Sequence, residues 1–278
     1  MRIDTHVHLY DNALGDFTWP RKGTRHDLRI DERRFLEEAE PYGITHCIAV
    51  ACTQQPEQLS LVLNELDGPS ILAAVGDTSF NSPDFIPIYD SFTKYEKFRG
   101  FRTDAGEVPP TDLAYENLSY LKGKKANVIE FNNSPAQLIA NVPDLIRSNP
   151  DVRFVLEHFG GMRSDLPIVD GDNLEFLKTF SSFDNCFMKA SALYLQAENR
   201  PQTPDPAPFT PVLTAFYNLF GEERVMFGSD WPALMDYPRD GKYGLEVGIF
   251  ESFFNAFSPR ICDKIMGENA AFVYGIDA

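Results

Sequence analysis

The chain has 278 residues, of which 43% are hydrophobic, and its 23 Phe, 11 Tyr and 2 Trp provide enough apolar material for a large core. A formal net charge of -16 argues against nucleic acid or an anionic membrane as partner, because both need a positive face. No transmembrane-length apolar run, signal-peptide pattern or Cys-x-x-Cys pair is present. We therefore expect a cytoplasmic protein with reduced thiols.

Strand-like apolar runs alternate with segments of helical spacing along the whole chain. The helical segments carry local start signals, such as Asp31 as an N-cap and Pro56 and Pro135 in first turns. The predicted strands cover residues 1–7, 44–51, 71–76, 98–102, 127–131, 153–158, 186–191 and 224–230.

This alternation predicts one domain, residues 1–278, folded as a single closed (β/α)8 barrel of the TIM type. The alternative is an open doubly wound sheet. Such a sheet normally has a glycine-rich turn after its first strand, where this chain has His6-Val7-His8 instead. The sequence therefore favours the barrel.

The two histidines His6 and His8 stand at the end of the first predicted strand. Residues two apart on a strand project to the same face, so both imidazoles are expected on one side. Two imidazoles on one rigid element suit a divalent metal ion. The alternative is a pair of ordinary polar residues leaving a strand, and later parts of the chain must decide between the two.

Further polar residues lie at or near the C-terminal ends of later predicted strands. Active sites of barrels form at this end, so these side chains are expected around one cavity. The set consists of Arg102, Glu130, His158, Lys189 and Asp230.

Three basic residues are candidates for binding substrate. Arg102 would hold a carboxylate through its planar guanidinium, with a surface ion pair as the alternative. Lys189 would bind substrate or, equally, form a packed ion pair with an acid. Arg163 is a further candidate for binding an anionic group. By contrast, Glu157 falls on the face opposite His158 and is expected to point outward between helices.

Four segments resemble the motifs of one enzyme family. DTHVHL at residues 4–9 matches a first-strand motif, and FVLEH at residues 154–158 resembles a strand that usually ends in Asp-His. The more specific matches are MFGSDWP at residues 226–232 and IMGENAA at residues 265–271. Over nearly its full length the chain thus resembles the amidohydrolase superfamily and, within it, the amidohydrolase-2 branch.

Within this branch, residues 9–19 are similar to the lactonases of sugar acids. FRGFR at residues 98–102 has a counterpart in those enzymes and in 2-pyrone-4,6-dicarboxylate lactonase. Binuclear members carry histidines on both the fifth and sixth strands, whereas the fifth strand here offers Glu130. The resemblance therefore implies one divalent ion at most, zinc or manganese, or none. Its ligands would be His6, His8, His158 and Asp230.

The resemblance implies hydrolysis of a lactone, of a sugar acid or a carboxylated ring, by attack of water on the ester carbonyl. Asp230 would act as general base and return the proton to the departing ring oxygen, with His158 as its catalytic partner. The histidines, with or without a metal, would polarise the carbonyl oxygen. Metal-dependent decarboxylases share this scaffold, and a barrel that only binds a small molecule is a third alternative. The expected partner is a small-molecule substrate, and a homo-oligomer is compatible with the sequence.

Overall fold

The computed structural model describes residues 1–14, 17, 19–106, 109–168, 171–236 and 243–277. Its central feature is a sheet of eight parallel strands that follow one another in sequence order. The strands are β1 (Ile3–Val7), β2 (His46–Val50), β3 (Ile71–Asp77), β4 (Phe98–Thr103), β5 (Val128–Phe131), β6 (Arg153–Leu156), β7 (Cys186–Ser191) and β8 (Val225–Gly228). All eight lie where the sequence predicts a strand, because short buried apolar runs are typical of parallel sheets.

The first and last strands meet and close the sheet into a barrel. The backbone N–H of Asp230 donates to the carbonyl oxygen of His6 at 2.9 Å, and that of His8 donates to the carbonyl oxygen of Trp231 at 2.8 Å. The predicted (β/α)8 barrel is therefore confirmed, and an open sheet is excluded. The C-terminal ends of all eight strands surround one mouth.

Helices connect the strands on the outside of the barrel. They are α1 (Glu32–Ala39), α2 (Pro56–Asn64), α3 (Phe85–Phe92), α4 (Asp112–Ser119), α5 (Pro135–Asn141), α6 (Pro143–Ser148), α7 (Gly171–Ser181), α8 (Thr210–Phe220), α9 (Tyr243–Asn255), α10 (Pro259–Asp263) and α11 (Asn269–Val273). A π-helical turn (Lys264–Glu268) joins α10 to α11, and Tyr10–Asp11 pairs with Arg29–Ile30 in the loop after β1.

Local sequence explains where several helices begin. The Asp31 side chain accepts a hydrogen bond from the backbone N–H of Arg34, as its predicted N-cap role requires. Helix α3 lies where the sequence analysis placed no element. It is held by Phe85, Tyr89 and Phe92, which are buried at helical spacing on one face.

The interior of the barrel is charged near the mouth and apolar in the half farther from the mouth, which we call the lower half. Apolar inward-facing residues fill the lower half, namely Ile3, Ile48, Val75, Val128, Val155, Phe187 and Met226. Tyr274, which follows α11, packs against this layer. Inward-facing positions alternate along a strand, so the next layer toward the mouth falls two residues later, at Asp77, Glu130, Glu157 and Lys189. The barrel thus carries ionisable groups directly beneath its mouth.

Among the described residues, no helix is both long and apolar enough to cross a bilayer. Within the segment 9–19 that resembles sugar-acid lactonases, residues 15, 16 and 18 lie outside the described residues.

Candidate active site

His6 and His8 lie side by side at the mouth, as their spacing predicts. Their Nε2 atoms are 3.3 Å apart. His8 Nδ1 lies 2.8 Å from the carbonyl oxygen of Val50, which can only accept, so Nδ1 donates and Nε2 faces the cavity. The pairing of β1 with β2 is irregular in register between Asp4 and Val7. This irregularity shifts the alternation of side chains along β1, so that Ile3 and His6 both face inward.

Asp230 follows β8 and faces both histidines. Its Oδ1 lies 3.1 Å from His8 Nε2 and 3.4 Å from His6 Nε2. Its backbone is left-handed, with φ of 64°, a conformation that Asp tolerates better than most residues. Next to it, the buried Asp4 accepts hydrogen bonds from the backbone N–H and hydroxyl of Ser229. Asp4 therefore ties β1 to the turn that presents Asp230.

His158 lies in a turn after β6, which ends at Leu156 rather than at the histidine as predicted. Its φ is 51°, and strained conformations of this kind cost about 1–3 kcal/mol and concentrate at functional sites. Ser191 at the end of β7 contacts His158 at two atoms. The Ser191 hydroxyl accepts from the His158 backbone N–H at 3.1 Å and lies 3.0 Å from Nδ1. The Nε2 atom of His158 is therefore the ring nitrogen that can face the cavity.

The expectation that Glu157 points outward is wrong. Its side chain is fully buried inside the barrel, where Oε2 lies 3.0 Å from Arg102 Nε and Oε1 lies 3.7 Å from His6 Nδ1. The reason is that β6 ends at Leu156, and the period of two from the inward-facing Val155 carries on to Glu157. His158 reaches the mouth only because its turn has left-handed backbone.

The three basic residues predicted to bind substrate have different surroundings. Arg102 is at the mouth, where its guanidinium also donates to the carbonyl oxygen of Ala51 at 3.3 Å. The Lys189 ammonium is fully buried and pairs with Glu130 at 2.5 Å, the packed ion pair that the sequence left open. Arg163 pairs with Asp165, and neither it nor Lys189 lines the cavity at the mouth.

A cavity of about 310 Å³ opens at this mouth, a size suited to a small molecule. Its lining combines the predicted polar residues with others, namely His8, Trp19, Cys52, Arg102, Asn132, His158, Asp230 and Ala233. A second compartment of about 220 Å³ shares Cys52, Arg102 and Asn132 with it. The structure thus brings His6, His8, His158, Asp230 and Arg102 together around one small space.

A larger cleft of about 620 Å³ lies elsewhere, between β7, β8 and the C-terminal helices, and includes Phe187 and Phe272. Its Lys264 is already paired with Glu222 and Glu223. The described residues lining it include no histidine. Cavity volume alone therefore does not identify the candidate active site.

The surroundings of each side chain in the site determine whether it is neutral or charged near pH 7. Burial and the neighbouring His158 hold the pKa of His6 well below its ordinary value, and burial lowers the pKa of His158 to about 4. Burial raises the pKa of Asp230, but His158 and His8 outweigh this and hold it below its ordinary value. Burial also lowers the pKa of His8, but Cys52 and Asp230 raise it to about 10. Near pH 7, Asp230 is therefore a carboxylate, and His6 and His158 are neutral imidazoles.

Two groups of side chains at the mouth have donor atoms close enough to hold one metal ion. One is His6, His8 and Asp230, and the other is His6, Glu157 and His158. In the first group, His6 Nε2 and His8 Nε2 both face the Asp230 carboxylate. In the second, His6 Nδ1 is buried and has no hydrogen-bond partner among the described residues. Nitrogen and carboxylate donors in threes are typical of zinc sites with an open position. The side chains therefore fit a divalent cation.

The two groups share His6 through different nitrogens. Its Nε2 faces His8 and Asp230, whereas its Nδ1 faces Glu157. A neutral imidazole has only one unprotonated nitrogen, so it ligates one cation at a time. With a neutral His6, the two groups are therefore alternative positions for an ion.

Several residues of the site were not identified from the sequence. Cys52 follows β2 and Asp77 is the last residue of β3, at the same end of the barrel as His8, so the rule that found His8 applies to them as well. Ser191 shares the inward face of β7 with Lys189, which indicates its direction but not its contact with His158. Trp19 lies in the loop after β1, with its ring 5.2 Å from that of His8, and no periodic pattern marks it.

The amidohydrolase family model matches residues 3–276 of the chain. The L-fucono-1,5-lactonase of Burkholderia ambifaria is 26% identical over 290 residues, which cover 99% of this chain and 96% of the relative.

Solved structures show the same fold. An amidohydrolase from Burkholderia multivorans, crystallised with bound zinc, has a TM-score of 0.81, 21% identity and full coverage of both chains. A probable 2-pyrone-4,6-dicarboxylic acid hydrolase from Acinetobacter baumannii, with citric acid bound, has a TM-score of 0.78, 17% identity and 99% coverage of both chains. With a barrel closed through Asp230 and His6, histidines and a carboxylate at its mouth, and a family match over almost every residue, the chain belongs to the amidohydrolase family of hydrolases.

Proposed function

We propose that this protein opens the ring of a small lactone at the mouth of the barrel by attack of water on the ester carbonyl. The observation that carries the proposal is the Asp230 carboxylate, which lies within 3.4 Å of two imidazoles in a cavity suited to a small molecule. The names of the lactonase from B. ambifaria and of the pyrone hydrolase from A. baumannii support the same reaction class.

Asp230 is the general base in this proposal. It takes a proton from the attacking water and returns it to the departing ring oxygen, which a carboxylate beside cationic groups is suited to do. Its contacts with His8 and His6 fix the direction of the carboxylate. The turn held by Asp4 and Ser229 fixes its position, so little reorganisation is needed when the substrate enters.

The histidines stabilise the negative charge that grows on the carbonyl oxygen. The Ser191 hydroxyl oxygen already accepts a hydrogen bond from the backbone N–H of His158. The hydroxyl hydrogen of Ser191 is therefore available for donation to His158 Nδ1. The proton of the neutral His158 ring then sits on Nε2, from which it is donated into the cavity. His8, protonated at Nε2, adds positive charge nearby. A donor aimed at the developing oxyanion contributes a large share of such catalysis.

Arg102 is the basic residue to which we assign substrate binding. Its guanidinium lines both compartments, whereas the Lys189 ammonium is sealed in an ion pair and the Arg163 guanidinium is paired with Asp165 and Glu198. It would hold a carboxylate or hydroxyl groups of the substrate. Glu157 keeps the guanidinium in place from beneath.

A divalent ion, zinc or manganese, would be held by His6, His8 and Asp230, with His158 beside them, and would replace the proton on His8 Nε2. When bound, such an ion supplies Lewis-acid polarisation of the carbonyl and lowers the pKa of water. We prefer this group to the one containing Glu157, because burial raises the pKa of Glu157 to about 8, and a protonated carboxyl group is a poor metal ligand. The zinc in the crystal of the B. multivorans amidohydrolase supports zinc as the candidate ion.

Elemental analysis of protein purified without chelator is expected to give a metal-to-protein ratio near one or near zero. The reason is that both candidate groups depend on His6. If an ion is present, His8→Gln should lose it, with an affinity reduced by at least about tenfold. Glu157→Gln is the matched control and should keep the ion. A ratio near two, or loss of the ion only in Glu157→Gln, would contradict the mononuclear assignment.

Turnover of a panel of small molecules tests the proposed function. The panel contains five- and six-membered lactones with and without hydroxyl and carboxyl groups, together with aromatic carboxylates for the decarboxylase alternative. We expect ring opening of at least one lactone, measured by proton release, and no release of carbon dioxide. Decarboxylation without lactone hydrolysis, or binding without turnover, would replace the proposal by one of the two alternatives.

A further inference from the structure

The second compartment at the mouth continues the catalytic cavity. It has a volume of about 220 Å³, and its own lining includes Gln54, Asp77 and Asp104. Cys52, Arg102 and Asn132 line both spaces. A substrate whose carbonyl lies beside Asp230 would therefore extend its remaining groups past Arg102 into this compartment.

Charge in the two compartments is unfavourable for an anionic substrate. Apart from histidines, Arg102 is the one basic side chain among the described residues that line them. Four acidic side chains already act on its charge, those of Glu157, Asp77, Asp230 and Glu130. In the second compartment, a carboxylate on the substrate would meet Asp77 and Asp104 with Arg102 as the one basic side chain among the described lining residues, since His8 lines the other compartment.

Hydrogen bonding in the second compartment favours groups that donate. The Asp77 carboxylate lies at the end of β3 and accepts a hydrogen bond from the Gln54 side chain, but its Oδ1 is buried without a hydrogen-bond partner among the described residues. Carboxylate oxygens only accept, and hydrogen bonds to charged groups are stronger than those between neutral groups. The amides of Gln54 and Asn132 can both donate and accept. Hydroxyl groups of a sugar ring would satisfy all of them.

We propose that the second compartment is a polyol subsite in which Asp77 binds hydroxyl groups of the substrate, so that the enzyme selects hydroxylated, uncharged lactones over carboxylated ones. This inference rests on the proposed lactone hydrolysis and deepens it by naming the substrate class. It also decides between the sugar-acid lactones and the carboxylated rings that the sequence left open.

The test compares kcat/KM for three probes after subtraction of uncatalysed hydrolysis. They are D-glucono-1,5-lactone, δ-valerolactone, which lacks hydroxyl groups, and 6-carboxy-δ-valerolactone. Wild-type protein should prefer the hydroxylated probe. Asp77→Asn keeps the shape of the side chain but replaces an acceptor by a donor, and it should lower kcat/KM for the hydroxylated probe by about 10- to 100-fold. The same variant should change turnover of δ-valerolactone by less than about twofold.

Two further variants make the comparison specific. Gln54→Ala removes an exposed side chain of the subsite and should cause a smaller loss, confined to the hydroxylated probe. Asp84→Asn is the matched control, because Asp84 is an exposed carboxylate before α3 with no side-chain capping bond, and it should leave all three rates unchanged. Equal losses on both uncharged probes in Asp77→Asn, no loss on either, or a wild-type preference for the carboxylated probe would overturn the subsite.

Binding of 1,5-anhydro-D-glucitol separates this inference from the proposed function. This compound carries the ring hydroxyls but no carbonyl, and its affinity can be measured by calorimetry. If the wild type binds it and Asp77→Asn binds it at least about tenfold more weakly, the subsite stands even if no lactone is hydrolysed. If lactones are hydrolysed without any preference and the polyol does not bind, the subsite is wrong and the lactonase proposal stands.

Discussion

Asp230→Asn is expected to lower kcat for a lactone by about a hundredfold or more, because it removes the basicity of the group that accepts the proton from water. The variant should still fold. Asn adopts the left-handed backbone found at this position as readily as Asp does, and it keeps a hydrogen-bonding oxygen near His8. The rate at saturating substrate is the measurement that checks this prediction.

Two controls separate loss of the base from other effects. Asp144→Asn makes the same chemical change at an exposed position on α6 and should leave kcat unchanged. Metal content of Asp230→Asn should be measured in parallel, since Asp230 also belongs to a candidate metal group. Wild-type activity in Asp230→Asn would remove Asp230 as the base. Activity restored fully by added metal would make its role that of a ligand.

Lys189→Met is expected to destabilise the protein by about 3 kcal/mol or more near pH 8, since it leaves the Glu130 carboxylate buried without its cation. Lys189 and Glu130 are both fully buried, and once the ammonium is gone Glu130 keeps hydrogen bonds with Tyr274 and Glu157 but no cation in contact with it among the described residues. Denaturant unfolding measures the change. Lys122→Met is the control, because this exposed lysine lies 4.0 Å from Asp151, and it should change stability by less than about 1 kcal/mol.

The pH dependence of the loss follows from the pKa of Glu130. Burial raises this pKa, but Lys189 outweighs burial and holds it below the ordinary value in the wild type. In Lys189→Met, the pKa of Glu130 in the folded state rises above its value in the unfolded state. Below the unfolded-state pKa, Glu130 is protonated in both states and the stability of the variant is retained. As the pH rises through the folded-state pKa, that stability is lost. The defect should therefore shrink toward pH 5, and Glu130→Gln combined with Lys189→Met should remove its pH dependence. Equal defects at pH 5 and pH 8 would contradict this explanation.

Sequence alone determined the barrel and the end of it at which the candidate active site lies. The eight strands are marked by apolar runs and the helices by their spacing and caps, all of which are local properties. His6, His8, Arg102 and Asp230 follow from position at strand ends, because every parallel strand of a barrel ends at the same mouth. Cys52 and Asp77 obey the same rule and could have been found by it.

Tertiary structure decided which of these groups touch one another. Glu157 and His158 are adjacent in sequence, yet both reach the interior, because the strand ends early and the next residue takes left-handed backbone. Whether Lys189 meets substrate or Glu130 depends on the distance between β5 and β7 across the barrel, which no local pattern encodes. The second compartment, likewise, exists only where loops from β2, β3, β4 and β5 meet. Local periodicity fixes the direction of a side chain, whereas its partner depends on contacts between segments far apart in the chain.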